Sequence, residues 1–218
     1  MTVEMASEEL ETALSARRYM YAALQSLFGN EPSSERLQAI SLPLLREASA
    51  VLGIGGADEL SEAIEIASTD LEKLKGEYTR LFIGPNELPA PLWESVYVTK
   101  ERILFHRRTL EVRNFYRSEG LIPQMYPSVA DDHIALELDF LRSLADRIVD
   151  ACMLGNRVEY GKALDASRRF LEFHLGTWVD AFSEGLARIG QGDLYPAAGR
   201  LLAAFVHADE KVLKGLLG

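Results

Sequence analysis

Residues 76–98 read GEYTRLFIGPNELPAPLWESVYV, and the fold turns on how they are read. Tyr78 and Leu81 continue an apolar stripe begun by Leu71 and Leu74, so the first third is helical, and Phe82 closes it. Pro85, Pro89 and Pro91 then forbid helix, because each fixes φ, removes a backbone donor and pushes its predecessor to extended geometry. Trp93, Val96 and Tyr97 follow, set beside Glu94 and Ser95. A helix therefore runs into a stiff loop rich in aromatics, which either packs its rings in the core or shows them to a partner.

Upstream the pattern is helical throughout. Ser7 is placed to cap a long helix carrying Leu10, Leu14, Tyr21, Leu24 and Phe28. Pro32, Ser33 and Ser34 open a second, which Pro43 kinks or divides and which Gly53, Gly55 and Gly56 end. A short helix over 59–67 precedes a capping pattern, Thr69 with Glu72, for the helix that holds Tyr78.

Downstream, Thr99 can cap a helix to about residue 118 whose apolar face joins Leu104, Phe105, Val112, Phe115 and Tyr116 around Arg108. An arginine there lays its stem on aromatics and pairs at its tip, or else meets a partner. Residues 120–131, GLIPQMYPSVAD, form a second breaker with Pro123 and Pro127 and read as a joint between helical parts. Asp132 then caps a strong helix over 133–152. Residues 156–164 are weakly patterned, a helix spans 166–188, and a last one starts at Pro196.

The whole is an all-α domain of about eight to ten helices in 218 residues, an N-terminal part (1–120) and a C-terminal part (132–218) joined by a proline-containing hinge (121–131). Leu and Ala far outnumber Val and Ile, which favours helix over sheet. A chain this long buries roughly 70 % of its unfolded surface and needs no staple. The lone Cys152 forms no internal disulfide and has no companions for a structural zinc site. There is no basic-then-apolar leader and no uncharged run of membrane-spanning length, so the expectation is a cytoplasmic protein. A net charge of −10 disfavours nucleic acid and favours basic or neutral partners.

In the helix after the joint, Glu137 falls in the sector of Ile134, Leu141 and Leu144, so its carboxylate is expected to be buried. His133 lies one turn earlier and could pair with it. Mutual satisfaction and ligand binding are both open to the two residues. His174 and Trp178, one turn apart, read as packing on one helix flank. No phosphate loop, dinucleotide fingerprint, HExxH or GxSxG is present, so no catalytic residue, cofactor or metal is assigned.

The order Glu77, Tyr78, Leu81, Phe82, Gly84, Pro85, Pro89, Pro91 and Trp93-Glu94-Ser95-Val96-Tyr97 resembles the signature of the TorD/DmsD/NarJ family of redox-enzyme maturation chaperones. Val112-Arg113, Tyr116, Gly120-Leu121, the run from Asp132 to Leu138, and His174-Leu175 with Trp178 fit the same pattern in order. The family often has proline immediately before the Asp-His pair, where this chain has Ala130 and Asp131. The resemblance implies a cytoplasmic chaperone, not an enzyme. It would bind the twin-arginine signal peptide, the apo-form of a molybdopterin oxidoreductase, or both, and assist cofactor insertion before export. Client contacts would fall on Tyr78, Leu81, Phe82, Gly84, Pro85, Pro91, Trp93, Glu94, Ser95, Tyr97, Asp132, His133 and Glu137. An apolar groove of Tyr78, Leu81, Phe82, Trp93 and Tyr97 would take the leader's apolar run, and Glu94, Asp132 and Glu137 its arginines. The rival from another class is a small all-α hydrolase or nucleotide-binding enzyme using Asp132, His133 and Glu137. Monomer, homodimer and swapped dimer all fit, and the client oxidoreductase is open.

Overall fold

The computed structural model describes residues 3–84, 88–98, 107–123, 129–189 and 193–217. Helix α1 (Val3–Phe28) is followed by α2 (Ser34–Gln38), α3 (Leu42–Val51), α4 (Ala57–Ala67) and α5 (Leu71–Tyr78), which widens into a π turn over Thr79–Ile83. Then come α6 (Glu94–Val98), α7 (Arg107–Ser118), α8 (Ile134–Met153) and α9 (Arg157–Phe173). A 3-10 turn (Leu175–Thr177) leads to α10 (Val179–Ile189) and α11 (Leu194–Leu217). Every regular element among the described residues is helical, as the composition predicts.

Several boundaries differ from the sequence reading for local reasons. Helix α1 begins at Val3, ahead of Ser7, because residues 3–6 contain no breaker. Pro43 divides rather than kinks: it sits in the first turn of α3, where its missing N–H has no helical partner to lose. Asp70, not Thr69, caps α5 by accepting from Lys73 N at 3.1 Å, because the Thr69 hydroxyl turns back to the Ile66 carbonyl at 2.7 Å. Residues 157–164 are helical, started by Asn156, whose side chain accepts from Glu159 N at 3.1 Å.

The helix expected over 166–188 is two. Helix α9 stops at His174, with φ −126° and ψ −101°, and α10 starts after the 3-10 turn. Gly176 permits the break: a Cβ there would lie 2.6 Å from the Leu171 carbonyl oxygen. The last helix starts at Leu194, with Pro196 in its first turn. Thr99, Leu104, Phe105, His106 and Pro127 lie outside the described residues, as does Pro85.

One core draws on both sides of the joint. Leu14, Tyr21, Leu24 and Phe28 of α1 meet Leu138, Leu141 and Ile148 of α8 and Leu201, Leu202 and Phe205 of α11. Arg18 of α1 pairs with Asp146 of α8 at 3.1 Å, and Gly29, just past α1, faces Ala135 at the start of α8. The two helices are therefore antiparallel, with the end of α1 beside the beginning of α8. That beginning is where the sequence motifs converge.

Candidate functional site

The segment before α6 and the segment before α8 lie side by side. Trp93 and His133 form an isolated antiparallel bridge. Ile134 N donates to Leu92 O at 2.8 Å, and Glu94 N donates to Asp132 O at 3.0 Å. The stiff proline loop thus presents its last residues as a strand-like rung against the joint, and the rings of Trp93 and His133 meet edge to face at 5.3 Å.

Asp132 and His133 cap two different helices. The Asp132 Oδ2 accepts from Ser95 N at 2.9 Å, so it serves α6, whereas the His133 Nδ1 accepts from Ala135 N at 3.2 Å and serves α8. The expected cap for α8 is thereby corrected from Asp132 to His133. With Nδ1 accepting, the ring proton sits on Nε2. Burial pushes the His133 imidazole down to about 4 against the opposing pull of Asp132, so the ring is neutral at physiological pH.

Glu137 is fully buried, as expected, but its side chain turns to Trp178 rather than to His133: Trp178 Nε1 donates to Glu137 Oε2 at 3.3 Å. Burial, then the charges of Glu94 and Asp132, hold the Glu137 carboxyl well above the usual carboxylate range. Glu94 is equally buried and is held on both oxygens, by Arg108 Nε at 2.7 Å and by His174 Nδ1 at 3.2 Å. Arg108 also reaches Glu111 at 3.2 Å and donates to the Phe173 carbonyl. One cation therefore anchors α6, α7 and the end of α9 together.

From its spacing alone His174 is expected to pack beside Trp178. The helix break turns it instead onto Glu94, with its ring against Phe115 and Phe170. The signal was present only as a second histidine element in the motif order. Asp131 ties the joint to α7 through Arg113 at 2.7 Å, while Tyr116 donates to the Asp131 carbonyl at 2.9 Å.

The structure brings Trp93, Glu94, Ser95, Asp132, His133 and Glu137 to one point, and Tyr97 joins them by stacking on Trp178 at 5.2 Å. Tyr78, Leu81 and Phe82 are elsewhere. They are 5 %, 0 % and 3 % exposed, Tyr78 and Phe82 in a ring cluster with Phe28 and Tyr195, so they build the core rather than an open groove. Pro91 is also buried, and Gly84 is half-buried where the π turn ends. Asp132 Oδ1, Trp93 Nε1 and Glu137 Oε1 are among the junction atoms with no hydrogen-bond partner among the described residues. No cluster of three metal-ligating side chains occurs among them.

The family model for the nitrate reductase delta subunit matches residues 53–184, a span that contains every residue of this site. The chain belongs to that family. Among its relatives, the chaperone protein TorD of Vibrio cholerae serotype O1 is 26 % identical over 220 residues, covering 96 % of this chain and 97 % of the relative. A Tat proofreading chaperone, DmsD, of Haemophilus influenzae is 33 % identical over 130 residues, 60 % of this chain and 57 % of that one. The crystal structure of a protein described as a redox enzyme maturation protein from Archaeoglobus fulgidus superposes with a TM-score of 0.52 at 22 % identity, covering 91 % of this chain and 93 % of the other, and shares the fold. The expectations of an all-α fold, a maturation chaperone and a non-enzyme stand with these relatives. No described helix is long and apolar enough to cross a membrane.

Proposed function

We propose that this delta-subunit family member is a cytoplasmic chaperone that receives the twin-arginine leader of an apo-molybdoenzyme at the Trp93–Asp132–His133 junction and holds the client until its cofactor is inserted. The reading is supported above all by a spare acceptor, Asp132 Oδ1, and a spare donor, Trp93 Nε1, on the two motif segments that the Trp93–His133 bridge joins. A guanidinium needs acceptors, and a leader backbone offers carbonyls to an indole N–H. Both atoms are covered, so an arginine reaching Asp132 needs a local opening of the junction. The names of the relatives, a Tat proofreading chaperone among them, point the same way.

The test is calorimetry with a twin-arginine leader peptide. Asp132→Asn keeps an oxygen for Ser95 N and removes the charge, so it should leave helicity intact while weakening binding about tenfold or more, the scale of one hydrogen bond to a charged group. His133→Ala should weaken binding too, and Trp93 fluorescence should change as peptide is added. Unchanged affinity in both variants would remove the assignment of this pair.

A further inference from the structure

Glu94 opens α6 and Glu137 lies in the first turn of α8; both are fully buried, and their side chains are within hydrogen-bond reach of each other. One cation serves the two. Arg108 meets Glu94 Oε1 at 2.7 Å and His174 meets Glu94 Oε2 at 3.2 Å, whereas Glu137 receives only the Trp178 indole on Oε2. Glu137 Oε1 is left without a donor among the described residues. Two ionised carboxylates side by side are acceptors that repel, but a proton on Oε1 makes that atom a donor, and each Glu94 oxygen keeps a second lone pair to accept it. The other groups around the pair are already committed. Arg113 is held by Asp131 at 2.7 Å, Tyr116 spends its hydroxyl on the Asp131 carbonyl, and His133 is neutral with Nδ1 on Ala135 N. Asp132 adds negative charge, which favours the protonated form further.

We propose that Glu137 and Glu94 share one proton, which latches α6 to the start of α8, and that a twin-arginine leader seats at the junction only as that proton leaves. The coupling to the leader rests on the reading given above; the latch itself does not. The leader brings two guanidiniums, and Asp132 Oδ1 is the spare acceptor for one of them. Glu137 becomes the acceptor for the other. Its O–H bond breaks, the proton passes to the solvent, and the guanidinium takes over as the positive charge between the two carboxylates. Proton and arginine therefore compete for one place, so the junction stays shut until an arginine arrives, and capture strengthens as pH rises. Burial, with the charges of Glu94 and Asp132, keeps the Glu137 proton in place in the free chain.

The latch is tested on the free full chain by infrared spectroscopy. At pH 7 the parent should show the carbonyl band of a protonated carboxyl, and Glu137→Gln should remove it. Absence of that band overturns the latch. The coupling is tested by calorimetry with a twin-arginine leader peptide in two buffers of different ionisation heat, which counts protons without any variant. About one proton should be released per leader bound, and affinity should rise by up to about tenfold per pH unit between pH 6 and 8. Glu137→Gln, whose amide can donate to Glu94 and still accept from Trp178, should bind more weakly, release no proton and give a flat pH profile. Binding without proton release overturns the coupling and leaves the leader reading standing. A release that persists in Glu137→Gln assigns the proton to another group, such as His174 on Glu94, and overturns it too. A leader that fails to bind the parent removes the leader reading and the coupling together, while the infrared band decides the latch by itself.

Discussion

His133 and Glu137 are buried titratable groups whose neutral forms are the ones the fold accepts, and they move stability in opposite directions as pH changes. His133 titrates near 6.5 in the unfolded chain and about 4 in the folded one. Between those values the unfolded chain takes a proton that the folded chain refuses, so stability is complete above about 6.5 and is lost as pH drops toward 4, by about 3 kcal/mol in all. Glu137 acts in the opposite sense. Its folded carboxyl is raised, so its contribution is present below the ordinary carboxylate range and is lost as pH rises through the folded value. Glu137→Gln keeps an acceptor for Trp178 Nε1 and has no proton to lose. Urea unfolding should therefore show it more stable than the parent at pH 8, by about 1 kcal/mol or more, with the advantage gone at pH 4. A pH-independent difference would mean that Glu137 is already ionised in the fold.

Leu81 and Phe82 show what an element does to a residue's role. The π turn at the end of α5 carries both inward, Phe82 against Phe28, Tyr78 and Tyr195, and Leu81 fully buried in the same core. Replacing both by alanine removes about 5–10 kcal/mol, comparable to the entire stability of a domain, so circular dichroism should show an unfolded or insoluble chain. A soluble double variant with an unchanged midpoint would return them to the surface. Helical periodicity was enough to find most helices and the burial of Glu137, because amphipathic spacing is written in consecutive residues. It could not find the break at His174, which depends on Gly176 fitting against Leu171, nor the pairing of Glu94 with a histidine 80 residues away. The meeting of Trp93 with Asp132 was legible only through motif order. Leu81 and Phe82 end an apolar stripe, which marks them for folding in the sequence itself; that they and Tyr78 line no groove was not legible, since an apolar stripe reads the same whether it faces a groove or the interior.

Across the whole molecule, α1 and α11 are joined by a buried ion pair. Arg17 makes a two-pronged contact with Asp209, its Nη2 at 3.0 Å, and Tyr21 donates to the same carboxylate. Both charged side chains are inaccessible, so neither is tolerable without the other. Asp209→Ala should cost about 3–5 kcal/mol in chemical denaturation, and Arg17→Met with Asp209→Leu should recover much of it, because a matched apolar pair strands no charge. A mild effect of the single variant would mean that water reaches the guanidinium.

The separation of 192 in sequence between those partners bears on how the chain emerges from the ribosome. Synthesis delivers α1 long before α11, and until the latter appears the guanidinium of Arg17 has no counter-ion and the apolar face around it no lid. A factor that shepherds unfinished enzymes would then be an unfinished protein itself for almost the whole of its own translation.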